Sequence, residues 1–445
     1  MITFVSTFPP IICGIATYTK YILDHLPPNF WRVVSFDLKE FSTANESLPS
    51  VMSDRVDYCL SFSNLTLPNL YGTNVVWLQH AFGIWGERHE HFLEIVQQAK
   101  AKGMKVAASF HTIHFQSPET PFGLTEQERQ LLSEALPLLD VATVFTDGAR
   151  SAVIEAFPQF REKVTVLRHG VHVHPRTDKK EARERFYNHL INQAPIPEAQ
   201  KEELRKIRND FLSETTILLG NYGFITQDKD PCRLYELGRL VRNRLPNYKI
   251  LTMFAGIIQG TKNNNLHSRL PVLNLLRECH DGKENFFFYL YIPEDIFAIA
   301  IRALDFAVFW CSNATQSGRM AHAQGAGTVV VGRDLEGVGE TLRLSGMPAA
   351  RSIEELADMI AEMVLNPALR KEAEMRAWQY VTQYCFENQA KKHLVVEKAL
   401  VHGEALPLLD SCGATVTNHD TSQELKPTLR SLLDPHYKRH SEIKL

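Results

Sequence analysis

Seven cysteines are scattered over the 445 residues, an odd number with no Cys-x-x-Cys among them. That excludes a disulfide scaffold or a cysteine zinc ribbon and fits free thiols in a reducing compartment. An excess of charge of one sign is lacking too. Lys plus Arg is 48 and Asp plus Glu is 51, a formal charge of −3, so there is no basic footprint for nucleic acid. No apolar run reaches the ~18 residues that a membrane span needs. The opening Met1-Ile2-Thr3-Phe4-Val5 has no basic flank and is followed by Pro9-Pro10, so no signal peptide is expected and the cytoplasm is the expected location. The Gly-x-Gly-x-x-Gly fingerprint of dinucleotide folds is absent from the first strand–helix turn. What remains is an ordinary soluble composition, 44% hydrophobic and 22% charged, long enough for two or three domains.

The first part alternates short β-branched or aromatic runs with helical patterns. Strands are predicted at 2–7, 32–36, 56–62, 74–79, 105–110, 141–145 and 164–168. Several are apolar on both faces, as in a parallel sheet covered by helices on each side. A charged stretch, 176–213, reads as a helical linker or surface insertion split by Pro195 and Pro197. The alternation then restarts, with strands predicted at 216–220, 249–254, 285–291, 305–310 and 328–331. The expected organisation is an α/β first domain over 1–175, the linker, a second α/β domain over 214–375, a crossover helix over 376–402 and a polar tail over 403–445.

Ligands of such sheets bind beyond the carboxyl ends of the strands, and six loops there carry chemistry. Gly14 stands where the first strand enters a helix, either to make the turn or to let an anion reach the helix N-terminus. The fourth and fifth strands end in Gln79-His80 and His111, two histidines on one sheet edge, able to act near pH 7 or to be core residues. Lys229 follows Gly223 in a loop of the second domain, as a point charge for a diphosphate or as an exposed surface lysine. Ser317-Gly318 opens a Gly/Ala-rich helix suited to a further anion. Asp37, after the second strand, is the acid that a nicotinamide ribose would want, which keeps a dehydrogenase as an alternative.

In order along the chain, the motifs resemble those of glycosyltransferase family 4. Phe8-Pro9-Pro10 to Thr19, Gln79-His80-Ala81-Phe82-Gly83-Ile84-Trp85-Gly86, Ser109-Phe110-His111-Thr112, Val166-Leu167-Arg168-His169-Gly170-Val171, Gly223 to Lys229, and Ser317-Gly318 followed by Gly327-Thr328-Val329 are similar to that family's signatures. The resemblance spans about residues 1–400. It implies a GT-B fold, two Rossmann-like doubly wound domains facing across a cleft, with a C-terminal helix crossing back to the first. It implies sugar transfer from a nucleotide-diphosphate donor, UDP or GDP by first choice, to a carbohydrate, lipid-linked or other small acceptor. Retention of configuration is implied, with no cofactor and no metal.

His111 would be the catalytic residue, with Gln79 and His80 near the acceptor or sugar. Gly14, Lys229, Ser317 and Gly318 would bind the donor. The sequence also departs from the family. Its Glu-x7-Glu pair falls on Ala314 and His322, its second-loop Arg on Phe224, and the Glu of its Gln-His-Glu motif on Ala81. His322 or Glu340 would then stand in toward the donor, and Arg233 or Arg319 would join Lys229. These losses leave open a catalytically weak or silent relative with a binding role.

Overall fold

The computed structural model describes residues 1–41, 54–258, 266–407 and 409–410. Among the described residues, thirteen strands form two parallel sheets. The first holds β1 (Ile2–Val5), β2 (Trp31–Phe36), β3 (Val56–Leu60), β4 (Val75–His80), β5 (Lys105–Phe110), β6 (Val141–Val144) and β7 (Val164–Val166). The second holds β8 (Ile217–Tyr222), β9 (Ile250–Gly256), β10 (Asn285–Tyr289), β11 (Phe306–Phe309), β12 (Val329–Arg333) and β13 (Ala349–Ala350). Their orders are β3-β2-β1-β4-β5-β6-β7 and β10-β9-β8-β11-β12-β13. Each is a doubly wound sheet whose order reverses beside its first strand, between β1 and β4 and between β8 and β11. Those switch points open a crevice at the strand ends. All twelve strands expected from the sequence form. The two-residue β13 is too short for periodicity to register.

Local chemistry sets the helix starts. Thr125 and Glu128 make a reciprocal capping box for Glu126–Ala135, and Ser352 Oγ accepts from Glu355 N at 3.1 Å ahead of Ile353–Leu365. Between them these devices satisfy N–H groups that a helix end otherwise leaves unpaired.

The charged 176–213 stretch is not a spacer. Its helices Lys179–Asn192, Glu198–Lys206 and Arg208–Leu212 give Phe186, Leu190, Leu204 and Phe211 to the second domain's core. Arg183, though buried, is fully engaged: it donates to Asp305 Oδ2 at 2.6 Å and to the carbonyl of Thr216. Charge patterning misled because the charges lie on the outer faces, while one arginine and its aromatic neighbours point inward.

The crossing is sharper than expected. Helix Pro367–Tyr384 stays on the second domain, Cys385 is extended, and helix Phe386–His402 returns to the first. There Phe386, Val396 and Leu400 pack with Phe4 and Trp77. The polar segment after it is anchored where it is described. Asp410 is buried and accepts from Arg168 N at 2.9 Å, while residues 411–445 lie outside the described residues. No described helix is long and apolar enough to cross a membrane.

Candidate active site

On the first domain, Gly14 is the exposed first residue of helix Gly14–Leu23, with open space where a Cβ would be. Strands alternate their side chains, and this separates Gln79 from His80. Gln79 turns toward the cleft side, where its Oε1 lies 2.7 Å from His111 Nε2. Accepting there makes Nε2 the protonated nitrogen and leaves Nδ1 as a lone pair, which has no partner among the described residues. Burial, with His169 and His80 nearby, holds the His111 imidazole neutral. Tyr18 meets the ring edge-on at 5.0 Å and Phe145 covers it at 4.8 Å.

The expected place of His80 beside a sugar is not where its ring lies. It has no exposed surface and is enclosed by Phe82, Phe92 and Phe110, with burial pushing it down to about 3. His114 is different again: burial works against its charge, but the hydrogen bond it donates to the Glu128 carboxylate outweighs this and lifts it to about 9.

On the second domain, two cations converge at the β8–β11 switch point. Lys229 closes the turn Gln227–Lys229, inside the triplet Asp228-Lys229-Asp230. That turn is held to the loop after β11 by Ser312 N donating to the carbonyl of Asp228 at 2.8 Å. Arg319 sits in the first turn of helix Gly318–Gly325 and donates to Asn221 Oδ1 and the carbonyl of Tyr222, both at 3.0 Å. Gly223 has φ +137°, and a Cβ there would lie 2.3 Å from Arg319 Cδ, so only glycine admits the guanidinium.

Of the two arginines expected beside Lys229, Arg319 is the one that reaches this loop. Arg233 does not, since it pairs with Asp230 and Glu236. Neither Lys229 nor Arg319 has a carboxylate within ion-pair distance among the described residues. Burial first, and repulsion by Arg319 second, lower Lys229 to about 7. Ser317 caps the same helix by accepting from Met320 N at 3.3 Å, leaving its first N–H groups for a ligand.

The two halves face each other. A Cβ on Gly318 would stand 3.8 Å from His169 Nε2, and Thr315 Oγ1 donates to the carbonyl of His111 at 3.0 Å. The cavity between Phe145, His169, Ser317 and Gln324 measures only about 20 Å³, room for a water molecule. The domains are closed on each other.

Glu340 and His322 are not donor contacts in this arrangement. Glu340, on helix Glu336–Leu344, reaches into the first domain. It accepts from Asp147 N at 2.8 Å, Gly148 N at 2.9 Å and Arg168 Nη1 at 2.8 Å. Glu336, one turn earlier, accepts from Phe115 N and Gln116 N at 3.0 and 2.9 Å. The sequence signal for this clamp is the Glu-x-x-x-Glu spacing on one helix face, and its partner Arg168 sits in the Val166–Val171 motif. His322 stacks on His172 at 3.6 Å.

No protein-family model matches the chain and no curated protein does. Solved structures do. The N-terminal domain of Candida albicans trehalose-6-phosphate phosphatase matches with TM-score 0.62 and 10% identity, covering 90% of this chain and 96% of that one. A UDP-forming α,α-trehalose-phosphate synthase from Burkholderia xenovorans matches with TM-score 0.63 and 11% identity, covering 90% and 99%. An E. coli trehalose-6-phosphate structure bound with UDP-2-fluoro glucose matches with TM-score 0.62 and 12% identity, covering 89% and 98%. The fold is GT-B. Its two parallel α/β sheets are the Rossmann-like domains of that fold.

Proposed function

We propose that the chain is a nucleotide-sugar-dependent glycosyltransferase. The observation that carries this reading is the Lys229–Arg319 pair, two cations without carboxylate partners among the described residues, at the switch point of the second sheet and against a capped helix N-terminus. A diphosphate is the ligand that such a site suits: desolvated cations and helix N–H groups stabilise the negative charge that builds on the leaving diphosphate as the sugar departs. The structural neighbours named for UDP-forming synthesis share the fold and support the reading.

In this reading the donor diphosphate lies on Lys229, Arg319 and the Ser317–Gly318 helix start. The sugar faces His111, oriented by Gln79, and the acceptor binds from the first domain beside Gly14. His111 Nδ1 is the acceptor atom it offers to a sugar hydroxyl. Substrate entry requires the closed domains to part. The motif series supports membership of glycosyltransferase family 4, and retention, no metal requirement and a cytoplasmic location are parts of the same proposal.

A second reading has its own observation. Glu336 and Glu340 fill backbone N–H sites of the first domain with carboxylates, as expected of a relative locked shut for a binding role. A thermal-shift panel of UDP-, GDP- and ADP-sugars beside NAD and NADP tests both. Binding N at a hundred times Kd stabilises it by about 2.7 kcal/mol. A rise with one nucleotide sugar, and glycosyl transfer or donor hydrolysis with it, supports the enzyme. Stabilisation without turnover supports the silent relative, and a response to NAD alone contradicts both.

A further inference from the structure

Between the domains runs the segment His172-Val173-His174, and its close passage over helix Gly318–Gly325 is built in. A Cβ on Gly325 would lie 2.1 Å from the carbonyl oxygen of His172, and His174 N donates to the carbonyl of Gly325 at 3.3 Å. In an extended segment residues two apart share a face. Both imidazoles therefore point one way, while Val173 between them is 67% exposed. That face meets His322, with His174 Nε2 and His322 Nδ1 3.1 Å apart and the rings of His172 and His322 stacked. One ring nitrogen of each histidine lies within 4.8 Å of the others.

We propose that His172, His174 and His322 form a binding site for a divalent transition-metal ion of zinc's class, tying the interdomain segment to helix Gly318–Gly325. Three imidazoles are a donor set that zinc accepts, with water in the fourth position of a tetrahedron. Metal–nitrogen bonds of ~2.0–2.1 Å place the nitrogens about 3.4 Å apart, so the rings need to turn and draw in by little more than an ångström. Metal binding requires neutral imidazole. Burial, with neighbouring imidazoles adding to it, keeps His172 and His322 neutral, the latter down to about 3. All three are only half-buried, which leaves an ion a way in. His322 stands four residues from Gly318, so the ion would brace the helix turn that carries Ser317 and Gly318. It is a positioning role and is independent of the functional reading above.

The test uses the full chain, stripped with a chelator and dialysed. Zn²⁺ is titrated against a chromophoric competitor, and Co²⁺ is followed by its visible absorption. The expected result is one equivalent of Zn²⁺ bound with Kd of about 1 μM or tighter and intense tetrahedral Co²⁺ bands. Affinity falls at least about a hundredfold in His172→Gln, His174→Gln and His322→Gln, and His402→Gln, an exposed control, leaves it unchanged. Melting temperature of each metal-free variant reports its fold. Binding equally tight in folded variants places the ion elsewhere and overturns the site. Weak octahedral Co²⁺ bands, or no Zn²⁺ bound by the unaltered chain, overturn it without reference to any variant.

Discussion

His111 Nε2 lies 2.7 Å from Gln79 Oε1, and that one hydrogen bond fixes the imidazole tautomer at the end of β5. It leaves Nδ1 as a buried lone pair with no partner among the described residues. Leaving such an atom unpaired costs about 1–3 kcal/mol, a cost that a substrate hydroxyl would relieve. His111→Ala is expected to cut turnover by about tenfold to a thousandfold, the range between one lost hydrogen bond and one lost preorganised contact. Gln79→Leu, which frees the tautomer, should lower turnover in the same direction. A His111 variant with a lower melting temperature and full turnover of the folded fraction would assign the residue to the core alone.

Arg168 and Asp410 make a second, structural point. The guanidinium is buried with Asp147 and Glu340, and Asp410 accepts from its backbone N–H while pairing with Lys392. A chain cut after residue 410 keeps Asp410 and serves as the reference. A chain cut after Gly403 should melt lower than it, since it removes the carboxylate that Lys392 and the Arg168 backbone N–H share. Arg168→Met should cost more, about 3 kcal/mol, because it takes a buried guanidinium away from the partly buried Asp147 and Glu340 carboxylates. Equal denaturation midpoints for the 403 and 410 truncations would contradict this anchoring.

Acid stability follows from the buried histidines. Burial holds His80 down to about 3, and His169 and His393 to about 4, against an unfolded value near 6.5. Below about pH 6.5 the unfolded chain binds protons that the folded chain refuses, so stability falls as pH falls through the window from about 6.5 to 4. Melting temperature measured across that window should decline steeply, and His393→Gln should flatten the decline. A flat profile would mean these rings are protonated in the folded state.

The interdomain clamp predicts a change of shape. Glu336→Gln with Glu340→Gln removes two carboxylates from four backbone N–H groups and from Arg168, contacts of the charge-assisted kind. The radius of gyration in solution scattering should increase in the double variant relative to the unaltered chain, and donor affinity should rise because less work is needed to open the cleft. An unchanged scattering profile would show that the remaining interface holds the domains alone.

Much of this architecture was legible in the residues. Parallel strands buried on both faces read as continuous apolar runs, so twelve of them announced themselves, and the strand-end loops then supplied the candidate site residues. The errors have physical causes. The sequence does not say which of two adjacent residues at a strand end faces the cleft, and this cost His80 its expected role. Solvated charges masked the inward faces of the 179–212 helices. Arg319, Asn221 and Gly223 act together only because β8 and β11 are neighbours, although they are far apart in sequence. The histidine cluster joins residues about 150 apart, a distance that no local pattern spans.

Titration calorimetry with the nucleoside diphosphate of the preferred donor measures directly whether Lys229 and Arg319 hold a diphosphate. Lys229→Ala should weaken binding at least tenfold, the loss of one desolvated charge-assisted contact of about 1.5–3 kcal/mol, and Lys229→Ala with Arg319→Ala should weaken it about a hundredfold or more. Because Lys229 is lowered to about 7 in the free protein and a bound anion would raise it again, affinity should fall as pH rises from 7 to 9. Binding at pH 8 should take up close to one proton, seen as a heat that changes with the buffer's ionisation enthalpy. Unchanged affinity in the double variant, with no proton uptake in the unaltered chain, would contradict that role.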